Sequence, residues 1–404
     1  MMIPKNCFIA HKKLCPLLLS LSFFFLFPFF VFAQNASEKG LPFLTNFSAK
    51  DYNASGAVQN WSVIQGDKGF MYFGNGLNFI LQYDGVNWRR IYISKDLDLA
   101  EPVRAMAKNR QGIIYYTGTN DFGFLEPDDS IGGMKAHSLL EYVPAQFRGF
   151  GEVRTVHVAD DGYVYFQSRD RIFRLKEDAS GKITGSDFKT WKPQTLFMFA
   201  FYVDGAYYAH QQNLGLYKMI NDSLQLIPGS EFLGKERMQV FLPYAADKNN
   251  NKQWLIGMFK SGLFLYNGEK FTPFHTQADS IFAANLYAGK MLKDSSYALA
   301  TTGKGLVIMD KEGRIIQVVN RNSGLRDETV YGLYPDDVGN LWLALDNGIS
   351  RVQTSSPFTL FNQLSGIKSA VNAITRFEGD LYLGTTTGLL RFNEKSRLFE
   401  HIDE

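Results

Sequence analysis

The chain has 404 residues, 45% of them apolar and 20% charged, the balance of a soluble and well-packed protein. Its formal net charge is +2, and beyond the first 33 residues 39 basic side chains face 40 acidic ones. That near-neutral balance excludes a surface built for nucleic acid, which needs clustered positive charge. The aromatic fraction of 15%, with 35 Phe and 20 Tyr, suits strands better than helices.

Residues 1–33 read as a secretory signal peptide. Lys5, Lys12 and Lys13 form a basic start, Leu17 to Phe32 an apolar run, and Val31-Phe32-Ala33 a cleavage site. An uncleaved membrane anchor is the alternative, since Leu14 to Ala33 approaches the ~20 residues that span a bilayer. Pro16 and Pro28 interrupt the run, and no stop-transfer charge cluster follows. Both cysteines, Cys7 and Cys15, lie in this leader. A mature chain has no thiol for a disulfide, a nucleophile or a metal. The expected address is exported, periplasmic or cell-surface.

After the leader an aromatic residue recurs behind a polar turn at Tyr72, Tyr115, Tyr165, Tyr208, Trp254, Tyr297, Trp342 and Tyr382. A period near forty-four residues signals four short strands per copy. The clearest copy runs Val330-Tyr331-Gly332-Leu333, turn Asp336 to Asn340, returning strand Leu341 to Ala344, turn Asp346-Asn347-Gly348, third strand Gly348 to Val352. Asp, Asn and Gly tolerate the positive φ of such turns. Pro357-Phe358-Thr359-Leu360-Phe361 then reads as an outer edge strand, where proline removes no ladder bond. Val103-Arg104-Ala105-Met106, Val153-Arg154-Thr155-Val156 and Val371-Asn372-Ala373-Ile374 open further copies. Looser copies pass through Asp204-Gly205, Asn249-Asn250-Asn251 and Asp294-Ser295.

These repeats predict an all-β protein, a β-propeller of four-stranded blades. Residues 34–361 would form seven blades, with Pro42-Phe43-Leu44 giving a strand that closes the ring and removes an exposed edge. Residues 362–404 would be an eighth repeat that starts a second propeller; a single eight-bladed ring is the alternative.

Chemistry is sparse. None of His11, His137, His157, His210, His275 and His401 pairs at a metal-ligand spacing. His157 and His210 are the best placed, with satisfaction by backbone groups as their simpler role. Asp67-Lys68-Gly69 and Asp160-Asp161-Gly162 are turn chemistry. Paired carboxylates for glycoside hydrolysis cannot be assigned, and no phosphate loop, nucleophile elbow or kinase signature is present. No metal or cofactor is expected. Trp61, Arg104, Arg154, Tyr331 and Asn372 each fall one residue into an innermost strand, at one rim of the central channel. Arginines there would clamp a carboxylate or sulfate, and Trp61 would stack on a sugar face. The plainer role is to fill the channel and pair with neighbouring turns.

Asn322-Ser323-Gly324-Leu325-Arg326-Asp327-Glu328-Thr329-Val330, running into Asp337-Val338-Gly339-Asn340-Leu341-Trp342-Leu343-Ala344, resembles the two-component regulator propeller repeat. Asp346 to Arg351 and the opening stretch from Gly40 through Trp61 to Tyr83-Asp84-Gly85 resemble it too. The resemblance covers everything after the leader and is loose in the middle copies. It implies an extracytoplasmic sensing half built of two seven-bladed propellers, followed by a three-tyrosine sandwich and a membrane helix. It also implies an output histidine kinase or transcription module, and many such sensors in Bacteroidetes respond to polysaccharide breakdown products. This sequence departs from that plan after its eighth repeat, with no sandwich, second span or kinase motif. The expectation is a non-enzymatic sensor for an oligosaccharide or other small ligand, truncated or acting with a separate output partner, with a homodimer among its arrangements. The rivals are a propeller lyase or glycosidase using His157, His210 or nearby acids, and a protein-binding surface scaffold.

Overall fold

All eight repeat aromatics stand on the second strand of a four-stranded antiparallel sheet. The structure is a computed structural model that describes residues 38–402 apart from 55, 95–100, 131 and 247–249. The 1–33 leader lies outside the described residues, as does Asn249 of the predicted turn. Two compact units divide the chain, Gly40–Ala370 and the segments Met1–Lys39 with Val371–Glu404.

Among the described residues, the first unit contains seven sheets of one pattern. Their first strands are Asn60–Gln65, Met106–Lys108, Val153–Val158, Phe197–Val203, Met238–Tyr244, Leu286–Met291 and Val330–Pro335. Each first strand contacts the next in this order, and the seventh returns to the first, so the sheets stand radially about an axis. This is the all-β propeller architecture.

Side-chain alternation explains the packing. The second strands are buried nearly throughout, as in Met71–Asn75 and Tyr297–Thr301, because both faces of each sheet meet a neighbouring sheet. Phe122 stacks on Phe166 of the following sheet at 4.1 Å, and Tyr165 on Tyr207 at 4.3 Å. Turns between strands supply the positive φ that hairpins require, as at Gly339 (φ 89).

The seventh sheet takes its outer strand from the other end of the chain. Leu44–Phe47 pairs antiparallel with Gly348–Gln353, Leu44 opposite Val352 and Phe47 opposite Ile349. Phe47 then stacks parallel to Trp342 and edge-on to Trp88. The predicted edge strand at 357–361 is therefore not formed. Its place on the sheet is taken, and the segment keeps only an isolated bridge between Leu360 and Leu41.

The second unit holds one four-stranded sheet, Val371–Phe377, Asp380–Thr385, Gly388–Asn393 and Leu398–His401. Arg376 pairs there with Glu38 at 2.7 Å. Its first strand is exposed along its whole length, with Ile374 at 68% and Phe377 at 62%. Among the described residues no helix is long and apolar enough to cross a membrane.

Candidate functional site

A register shift near the start of the first strand recurs around the ring. It falls at Trp61, Arg154, Met198, Gln239, Tyr287 and Tyr331 in six of the seven sheets. A bulge inserts one unpaired residue and re-aims its side chain. In the second sheet Arg104 precedes Ala105, which exchanges hydrogen bonds with Thr117, and holds the equivalent place.

Four of the five predicted residues, Trp61, Arg104, Arg154 and Tyr331, line one cavity of about 570 Å3. Asn372 marks the same register shift in the second unit, is exposed, and is not part of this cavity. Five polar lining residues escaped the sequence reading: Thr155, Arg237, Gln239, Tyr287 and Thr302. Tyr287 was findable, since it stands ten residues before the repeat aromatic Tyr297, much as Trp61 stands eleven before Tyr72. Gln239 lies fifteen before Trp254, and the longer polar turn breaks that count.

Aromatic rings and guanidinium groups interleave along the cavity wall. Trp61 stacks on Tyr331 at 4.0 Å, and Tyr287 meets Tyr331 edge-on at 5.1 Å. The Arg104 guanidinium lies 3.5 Å from the Trp61 ring centroid. Two groups that close to one centroid occupy its opposite faces, so both faces of Trp61 are covered in this conformation. The Tyr331 hydroxyl donates to Asp346 at 3.1 Å, which holds the ring in place.

Glu152 ties the cations together. Its two oxygens accept from Arg104 Nε at 2.5 Å and Arg154 Nε at 3.2 Å. Burial holds Arg154 below its ordinary pKa, and the Glu152 charge opposes that shift. Arg237 packs 4.2 Å from the Phe259 ring centroid. The lining includes no Asp or Glu among the described residues. Trp61 Nε1 and Gln239 Nε2 are buried without a hydrogen-bond partner, and Gln239 is 8% exposed.

The two candidate histidines each donate one ring N–H to a backbone carbonyl. His157 lines the cavity, and its Nε2–H donates to the Ala200 carbonyl at 2.8 Å. His210 is fully buried, and its Nε2–H donates to Leu233 O at 2.9 Å. Burial pushes both down to about 4, so both imidazoles are neutral at pH 7. Burial likewise raises the Tyr287 hydroxyl. Among the described residues no group of three or more His, Cys, Asp or Glu is placed to hold a metal ion. Three guanidinium groups facing one cavity are the chemistry that attracts an anion, and among the described residues no carboxylate pair lines it.

No family model matches the sequence, and no curated protein matches it significantly. Solved structures do match its fold. The extracellular domain assigned to the hybrid two component system BT3049 of B. thetaiotaomicron is 17% identical, with a TM-score of 0.62 over 90% of this chain and 49% of that one. The extracellular domain assigned to BT4673 of the same organism is 16% identical, with a TM-score of 0.57 over 88% and 46%. This chain thus spans about half the length of each. A streptogramin B lyase is 14% identical, with a TM-score of 0.52 over 77% of this chain and 97% of that one. At these identities the likeness shows the β-propeller fold, which hosts sensors and lyases alike.

Proposed function

We propose that this chain is the ligand-recognising propeller of an exported, non-enzymatic two-component-type sensor. Its ligand is a small acidic molecule derived from a polysaccharide, held at the channel mouth by Arg104, Arg154 and Arg237. The observation that carries this reading is the cavity itself, where arginines at or just before first strands far apart in sequence converge beside aromatic rings. Fold likeness to extracellular domains of two-component systems supports the sensory role.

In this reading residues 1–33 direct export to the periplasm or cell surface, and 34–361 form the sensing propeller. Residues 362–404 are a blade of a second ring, supported by the exposed Ile374, whose register counterparts Val63, Val156, Phe241 and Leu333 are buried. A kinase or transcription module reads the result. Ligand binding signals only if it favours one arrangement of the protein over another.

A thermal-shift screen of the purified protein against acidic and neutral oligosaccharides tests the reading. A ligand at a hundred times its Kd adds about 2.7 kcal/mol of stability. Stabilisation by acidic members without product formation supports the sensor. Turnover of a stabilising compound would replace it with a lyase or glycosidase, and a folded protein that no acidic compound stabilises would refute it.

A further inference from the structure

We infer that the ligand carries two acidic groups, and that Arg237 together with the Glu152-bridged pair Arg104 and Arg154 sets that number. The inference rests on the channel-mouth reading and adds the charge of the ligand to it.

Guanidinium groups carry five N–H donors each. Glu152 engages only the Nε of Arg104 and the Nε of Arg154, one oxygen apiece. Among the described residues neither arginine has another carboxylate partner. The terminal nitrogens of both remain available for the paired contacts that arginine makes with carboxylate and sulfate. One carboxylate also balances only one of the two cations, which leaves one positive charge on the bridged pair.

Arg237 supplies the second. Its guanidinium rests against Phe259 at 4.2 Å, and it forms no ion pair among the described residues. No Asp or Glu side chain lines the cavity to neutralise it. His157 commits its Nε2–H to the Ala200 carbonyl, and Lys290 is not among the residues that line the cavity. The charge to be met is therefore two, in a concave space where partial desolvation strengthens each interaction. A cavity of about 570 Å3 falls in the size range of small-molecule sites. It suits a saccharide of one or two rings bearing two carboxylate or sulfate groups. Gln239 Nε2, buried and unpartnered on this wall, is a further donor for a ligand oxygen.

Calorimetric titration of the whole purified protein with three matched disaccharides tests this: one neutral, one with a single carboxylate, one with a carboxylate and a sulfate. The doubly charged compound should bind about tenfold or more tighter than the singly charged one, with a steeper loss on adding salt. Arg237→Gln should erase that difference between the two acidic compounds. Glu152→Gln, which leaves the bridged pair uncompensated, should tighten both. Equal affinity for the two acidic compounds would overturn the two-charge inference and leave the channel-mouth site standing. Equal tightening of all three by Glu152→Gln would also overturn it, and binding of none would overturn site and inference together.

Discussion

Lowering the pH from 7 to 5 should cost this propeller about 2 kcal/mol at His210 alone. The residue is fully buried on the second strand of the fourth sheet, Ala206–Gln211. Its Nε2–H is committed to Leu233 O, and its Nδ1 is buried without a partner. A second proton would place a charge where no acceptor waits, and burial accordingly lowers the folded-state pKa to about 4. The unfolded value is about 6.5. Between these values the unfolded chain binds a proton and the folded one does not, so stability is complete above about pH 6.5 and falls as pH drops toward 4. The full separation is worth roughly 3 kcal/mol, of which about 2 kcal/mol is lost by pH 5. Urea unfolding at pH 7, 6 and 5 would read the loss as a falling midpoint. The comparison is His210→Gln, whose amide can still donate to Leu233 O and does not titrate. Other groups titrate in the same interval, so the difference between the two proteins is the informative quantity. If both lose the same stability from pH 7 to 5, the reasoning about His210 is wrong.

Three further outcomes follow from the packing. Asp336 is 4% exposed and accepts from Val338 N, Asn340 N, Asn340 Nδ2 and Trp342 Nε1; Asp336→Ala strands the buried indole N–H and should lower stability by about 2–4 kcal/mol in urea titrations. A Cβ on Gly74 would lie 2.3 Å from both Ser62 Oγ and Val103 O, so Gly74→Ala should cost about 1–3 kcal/mol, seen as a lower melting temperature. A chain beginning at Ser48 loses the strand Leu44–Phe47 and bares the edge of Gly348–Gln353. Size-exclusion chromatography should then show association through that edge, and a monomer with unchanged melting would contradict the role of the strand.

Much of the architecture was legible because the period of the aromatics is a property of local sequence. Tyr72 and Trp342 mark second strands whatever lies beside them, since a strand flanked by two sheets must be apolar on both faces. The site was half legible for the same reason. Trp61, Arg154 and Tyr331 share a position set by the bulge of their own strand, and Arg104 holds the equivalent place just before Ala105. Gln239 and Arg237 did not show because their copy has a longer turn and a different offset from Trp254. The expected sugar stacking on Trp61 failed on contacts that no local pattern encodes. Its faces are covered by Tyr331, 270 residues away, and by Arg104 on the next sheet. The predicted edge strand at 357–361 failed similarly, because occupation of that edge by Leu44–Phe47 is a long-range event.

The pairing of Leu44 with Val352 also has a consequence for biosynthesis. Leu44–Phe47 is among the first folded segments to be made, and its partner strand follows roughly 300 residues later. At about 5–20 residues per second that is an interval of roughly 15 to 60 s. Throughout it Leu44–Phe47 has no sheet of its own to join, and its unpaired backbone can recruit a strand from a neighbouring chain. Closing the ring is then the capture of Leu44–Phe47 by the edge of Gly348–Gln353, and the danger of misassembly at that edge ends only when the capture succeeds.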